Sequence, residues 1–232
     1  MAIIITDSKY YGEIAEAIRL KNGANSYYTP SQMGNAIKAI ENSGGGSEGG
    51  NKELTKLIEG TLDVIENSDV STMRDYAFGG CYSLTSADFP ACTSIGVGAF
   101  SGCTSLASIN FPACISIGSY AFYYCSSLTS INFPSCKFIG DRAFSGCSSL
   151  TSANFPACTS IGGYAFYYCS SLTSINFPIC EDIGYDAFNN CFSLTSVDFP
   201  ACTTIGLNAF SNCSSLTLIS FPACKLIGAD AF

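Results

Sequence analysis

The chain has 232 residues, a net charge of −8, 14 cysteines, and neither histidine nor tryptophan. Without histidine there is no Ser-His-Asp or Cys-His nucleophile pair and no imidazole metal site. Ten Lys and Arg against 18 Asp and Glu argue against a nucleic-acid surface. The 47% apolar content suffices for a packed core, and so many cysteines raise a disulfide framework as the first expectation.

Residues 1–42 read as a helical attachment or oligomerisation head. Tyr11, Ile14, Ala17 and Ile18 recur at helical spacing, and Gly23 is placed to end that helix. Thr29, Pro30, Ser31 and Gln32 form a capping box with proline at the first helical position, and Met33, Ala36, Ile37 and Ile40 supply the next apolar stripe. Two short helices are too little to fold alone, so the head is expected to pack on itself, on another copy or on a partner. Residues Ile14–Gly23 and Tyr28–Ile40 are similar to N-terminal segments of tail-associated structural proteins of phages and prophages of Gram-positive gut bacteria. That resemblance implies attachment to a virion.

Residues 43–50 form a flexible Gly/Ser linker, and 51–76 are read as a cap followed by a degenerate first turn, in which Leu62, Ile65, Val70 and Met73 hold apolar positions. The run Ala2–Thr6 is too short for a signal-peptide core, no basic segment precedes it, and no apolar run approaches a membrane span. The expected location is the phage particle or the extracellular bacterial surface, without a signal peptide, and without membrane insertion.

From residue 77 the cysteines set a beat of 11: Cys81, Cys92, Cys103, Cys114, Cys125, Cys136, Cys147, Cys158, Cys169, Cys180, Cys191, Cys202, Cys213 and Cys224. Alternate cysteines have different neighbours, AFxxC as at Ala121–Cys125 and FPxC as at Phe133–Cys136, so the true period is 22. The unit A-F-x-x-C-x-S-L-T-S-I-x-F-P-x-C-x-x-I-G-x-x runs in seven complete copies from Ala77 to Asp230, and Ala231 and Phe232 begin an eighth. Such a period means a repeat β-solenoid with a continuous stacked core over 77–232. Within a turn, Ile131 and Phe133 alternate with outward Thr129, Ser130 and Asn132 as in a strand, which Pro134 ends. Turns pairing at about 4.8 Å make a rod roughly 35 Å long.

This unit resembles the leucine-rich repeats of the Treponema or BspA-like type, which usually have longer turns. The resemblance covers about 62–232 and implies a right-handed superhelix, a parallel sheet on one side, a binding or adhesion role and no catalysis. It also places the FPxC cysteine where such repeats carry an inward residue contacting the backbone of the next turn.

The cysteines admit three readings: buried free thiols forming a structural core ladder, which Val70 in the same column supports; disulfides between adjacent turns; or a metal cluster, which the lack of any CxxC disfavours. The carboxylates Glu181, Asp182, Asp186 and Asp198 are a solvated patch or a calcium site without EF-hand spacing. No catalytic residue, metal site or cofactor is expected.

Variation between copies concentrates after AF, after FPxC and after IG. The first and last of these columns hold Tyr120, Tyr123, Tyr124, Tyr164, Tyr167, Tyr168 and Tyr185 among Ser, Gly, Asn and Asp, a mixture resembling binding paratopes. A tyrosine face is therefore one candidate binding surface, with a uniform Thr/Ser/Asn sheet face as the other. The expected partners are a bacterial surface glycan or protein, and the protein itself or a virion protein through the head. The function read from the sequence is non-enzymatic binding: a phage or prophage tail-associated protein recognising a bacterial surface, with a surface adhesin or head-to-tail stacking filament subunit as alternative.

Overall fold

The computed structural model describes residues 64–66 and 68–232. The expected helical head, the linker and most of the cap lie outside these residues. The described chain is a right-handed β-solenoid of about seven 22-residue turns, beginning with the degenerate turn, whose Val64–Glu66 strand pairs with Ser86–Asp88 so that Ile65 is in register with Ala87.

Each turn contributes two strands rather than the one legible in the sequence. The expected three-residue strand is present, as at Ser130–Asn132. A two-residue strand follows the FPxC corner, as at Phe138–Ile139, and eight of these form an unbroken parallel sheet from Thr72–Met73 to Leu226–Ile227. Every strand pairs with the strand 22 residues away, so like residues stack on like. A further line of hydrogen bonds joins the turns at the AF corner, where Phe122 N–H donates to the Ala143 carbonyl at 2.7 Å and Tyr124 N–H to the Ser145 carbonyl at 2.9 Å. Backbone polar groups that no strand would satisfy are thus paired along the solenoid axis.

The interior follows from this register. The AF phenylalanines stack nearly parallel, with centroids 5.1 Å apart between Phe122 and Phe144. The FP phenylalanines form a second stack that meets the first edge-on or tilted, as Phe144 and Phe155 do at 5.9 Å. Offset stacking within columns and edge contact between them are the two geometries aromatic rings favour, each about 0.5–1.5 kcal/mol beyond area burial. The IG glycine is required for close approach. A Cβ at Gly140 would lie 2.5 Å from the Ser119 backbone nitrogen, and at Gly206 2.5 Å from that of Tyr185.

All fourteen cysteines are free, and all but Cys81 and Cys224 are buried. The AFxxC thiols reach between turns: Cys125 Sγ donates to the Phe100 carbonyl and Cys147 Sγ to that of Phe122, both at 3.2 Å. The FPxC thiols from Cys92 to Cys202 instead bond two residues ahead within their own turn, as Cys136 does to the Phe138 carbonyl at 3.3 Å. The FPxC thiols also touch backbone of the turn before, as Cys114 does at Ile95 and Cys224 at the Thr203 carbonyl at 3.8 Å, but the repeated inter-turn thiol bond to a phenylalanine carbonyl belongs to the AFxxC column. Burial pushes Cys114 and Cys147 up to about 12 and Cys202 and Cys213 to about 11, so at neutral pH these four are uncharged and poor nucleophiles.

The three-residue strands do not form the uniform face the sequence suggests. They divide into three sheets, ending after Ser108–Asn110 and again after Ser174–Asn176. In the first sheet Ala87 stands in register between Ile65 and Ile109, and in the second Ala153 separates Ile131 from Ile175. Each break brings two β-branched residues together, Ile109 against Ile131 and Ile175 against Val197. There Ile109 and Ile175 are partly expelled from the core, and the FP ring spacing widens to 6.2 Å between Phe111 and Phe133 and 5.7 Å between Phe177 and Phe199. Elsewhere in that column it is 5.2–5.5 Å. Side-chain ladders stop at the same places: Asn176 Nδ2 donates to Asn154 Oδ1 and Asn154 to Asn132, each at 2.7 Å, and the run then ends. Val197 and Ile219 stay paired because Ile219, in the last turn, swings out to 52% exposure.

Three outcomes follow. Gly140→Ala should lower unfolding stability by about 1–3 kcal/mol, as overpacking against rigid backbone does, measurable by denaturant titration. Ile109→Ala should join the first two sheets, seen as new hydrogen-exchange protection of the Phe111 and Thr129 amides. At pH 8 a thiol reagent should modify Cys81 and Cys224 in the native protein, and all fourteen cysteines only after unfolding.

Candidate functional site

Two corners of every turn need left-handed backbone. In the IG corner it falls on Tyr76, Gly98, Tyr120, Arg142, Tyr164, Asp186, Asn208 and Asp230, and in the AF corner on Gly80, Gly102, Tyr124, Gly146, Tyr168, Asn190 and Asn212, with φ between 52° and 78° throughout. The amides at these positions serve the ladder between turns: Tyr120 N–H donates to the Asp141 carbonyl, Arg142 to Gly163 and Tyr164 to Tyr185, at 2.8–2.9 Å. The conformation is thus imposed by stacking, whatever the side chain. Glycine accepts it freely and Asn or Asp tolerate it, but a tyrosine there costs about 1–2 kcal/mol. Tyr120, Tyr124, Tyr164 and Tyr168 all stand at such positions.

The structure brings the seven predicted tyrosines onto one face. Tyr123 meets Tyr120 and Tyr124 edge-on at 5.4 and 4.4 Å, and Tyr167 meets Tyr164 and Tyr168 at 5.4 and 5.0 Å. Tyr185 leans back over Gly163 and contacts the Tyr164 ring at 5.0 Å. Tyr124 lies over Gly146, whose missing side chain makes room for the ring. Tyr124 and Tyr168 remain about half exposed, at 54% and 47%.

Four further residues belong to this face; Asp186 was read in the sequence only as one of a carboxylate group, and Arg142, Asn189 and Phe192 were not singled out. Arg142 sits in the turn between the two tyrosine groups. Its guanidinium lies 4.4 Å from the Tyr164 ring centroid and 5.7 Å from that of Tyr120, and its Nη1 donates to the Tyr120 hydroxyl at 2.9 Å. Asp186 is buried beside Tyr164 and accepts a hydrogen bond from Asn189 Nδ2; its charge pushes the Tyr164 phenol up. Asn189 is itself buried and its Oδ1 has no partner. Phe192 extends the aromatic surface, 5.9 Å from Tyr168. Burial and the neighbouring Tyr124 hydroxyl likewise push the Tyr123 phenol up, so Tyr123 and Tyr164 stay protonated and able to donate.

The predicted carboxylate group is not assembled. Glu181 and Asp182 are exposed at the two-residue sheet, Asp198 is exposed on a three-residue strand, and only Asp186 turns to the tyrosine face. Among the described residues no group of three or more Cys, Asp or Glu side chains is placed to hold a metal ion. The alternative sheet face is polar but interrupted twice, and its Asn and Thr side chains are engaged in their own ladders.

Comparison with known proteins places this architecture. The family model described as BspA type leucine-rich repeat region matches residues 71–191 and 137–232, with six copies. Among solved structures, the chain is similar to a leucine-rich repeat protein of T. pallidum, with 31% identity, a TM-score of 0.59, and coverage of 66% of this chain and 76% of that one. A leucine-rich repeat protein of Bacteroides ovatus shares 24% identity over 75% of this chain and 70% of that one, with a TM-score of 0.39. An internalin of Listeria monocytogenes shares 12% over 95% and 70%, with a TM-score of 0.39. Curated proteins give no match. The family model spans more than half of the chain and agrees with the repeat unit and the stacked solenoid: the chain belongs to the BspA-type leucine-rich repeat family.

Proposed function

We propose that the solenoid is a non-enzymatic binding module whose tyrosine face recognises a saccharide on a bacterial surface. Repeats of this family are typically binding and adhesion folds, and the residue pattern within this copy points to one face. The observation that carries the reading is the occupation of obligatory left-handed positions by Tyr120, Tyr124, Tyr164 and Tyr168, where Gly98 and Gly102 occupy the equivalent corners without strain. A side chain retained against its backbone preference marks a position kept for something other than stability. Tyrosine offers flat apolar area for stacking on sugar rings and a hydroxyl at the edge, with little rotamer entropy to lose.

The setting proposed is that of an adhesin-like surface protein, which fits the family. Attachment to a phage tail through the head is a second reading, supported by the similarity of Ile14–Gly23 and Tyr28–Ile40 to tail-associated proteins. Detection of the chain in purified particles rather than in cell envelopes would favour the second.

The quadruple change Tyr120→Gly, Tyr124→Gly, Tyr164→Gly and Tyr168→Gly tests the face. The variant should retain the native circular dichroism spectrum, since glycine suits all four backbones, and its binding to whole bacteria should fall at least tenfold. Undiminished binding would overturn the proposal.

A further inference from the structure

Resting on the tyrosine-face reading, we propose that Arg142 makes this face selective for acidic saccharides, by holding a carboxylate or phosphate group of the ligand. The region 64–232 contains four cations, Arg74, Lys137, Arg142 and Lys225, and Arg142 is the one within the tyrosine groups. It stands at a left-handed corner, φ 57°, where its neighbours in the column are two tyrosines that grip its guanidinium plane. Stacking fixes the plane and leaves the N–H edge as the reactive part. Of five donors, one is used by the Tyr120 hydroxyl and another reaches the Tyr164 hydroxyl. The rest form the planar fork that matches carboxylate and phosphate oxygens in paired hydrogen bonds.

Among the described residues no carboxylate is ion-paired with that fork. Asp141 Oδ1 accepts from the Gly163 amide at 2.8 Å, and Asp186 is buried against Asn189 and the Tyr164 phenol. The partners of Arg142 are the phenols and ring faces of Tyr120 and Tyr164. A guanidinium held this way attracts a ligand anion while the flanking rings accept the apolar face of the sugar. The chain is acidic overall, so a positive centre at this one place distinguishes ligands that carry the acid group in register with a stackable ring.

The experiment measures binding of the full chain to three immobilised polymers: polygalacturonate, its fully methyl-esterified form, and a glycerol-phosphate polymer. The wild type should bind polygalacturonate at least tenfold more tightly than the ester, with an affinity that falls as salt is raised. Tighter binding to the phosphate polymer than to polygalacturonate would assign the preference to phosphate and equally support the anion site. Arg142→Gly should abolish the discrimination while raising the melting temperature, because glycine is at ease in that backbone. Arg142→Lys should retain less discrimination than the wild type, because an ammonium lacks the planar fork.

Equal wild-type affinity for acidic and neutral polymers, or binding to none, would overturn the inference. So would unchanged selectivity in Arg142→Gly. If the quadruple tyrosine variant loses all binding while Arg142→Gly keeps its preference, the tyrosine reading stands and this inference alone fails. If the tyrosine variant binds as the wild type does while Arg142→Gly loses selectivity, the anion site stands and the tyrosine reading fails.

Discussion

Neighbouring turns approach to the spacing of hydrogen-bonded strands, and at the IG corner they leave no room for a Cβ. A side-chain carbon on Gly118 would lie 2.7 Å from the Gly96 carbonyl carbon, and each later glycine of the column meets the turn before it in the same way. This contact sets the register, because it is tolerated only when turns superpose residue on residue. Once they do, each corner amide faces a carbonyl of the next turn, the phenylalanines fall into two stacks, and each AFxxC thiol from Cys103 to Cys213 meets a phenylalanine carbonyl of the turn before.

Superposition also has a limit, and the three-residue strands show where it lies. Columns of identical glycines or phenylalanines stack from turn to turn, but at the middle of the three-residue strand two β-branched residues in succession leave the ladder open unless the second swings out, as Ile219 does. The inward residue at the middle of each strand needs alanine between isoleucines to keep the ladder closed, and Ile109 against Ile131 opens it. The two-residue sheet carries isoleucine throughout from Ile95 to Ile227 and remains continuous. The solenoid is therefore held by one unbroken sheet, the glycine corner and the phenylalanine stacks, while its other sheet is segmented.

The candidate site grows from the same constraint. Left-handed corners are the cost of turning amides along the axis, and the turns at Gly98, Asp186 and Asn208 meet it with glycine, asparagine or aspartate alone. The turns around Arg142 do not. They place tyrosines and an arginine where the backbone disfavours them, and the resulting ring contacts form a continuous aromatic surface around one cation. The interior is otherwise uniform, with thiols such as Cys114 and Cys147 kept protonated by burial, so what differs between turns is concentrated at the corners.

The linear chain already determined the repeat, its 22-residue period, the inward phenylalanines, cysteines and leucines, and the grouping of seven tyrosines in variable columns, because each is a matter of like residues recurring at one spacing. The alternation of glycine with asparagine in those columns also signalled left-handed backbone, although it was the structure that made the signal plain. Tertiary packing decided the rest. The second strand is two residues long and shows no alternation of its own, so it exists only by pairing with its neighbours. Which cysteine column bonds a phenylalanine carbonyl across turns depends on side-chain direction at the corner. The breaks in the longer strands depend on which residues the register sets face to face. Arg142, Asp186 and Asn189 join the tyrosines because residues 22 and 44 positions apart in sequence become neighbours along a column. Periodicity revealed which residues are equivalent; only stacking revealed which of them touch.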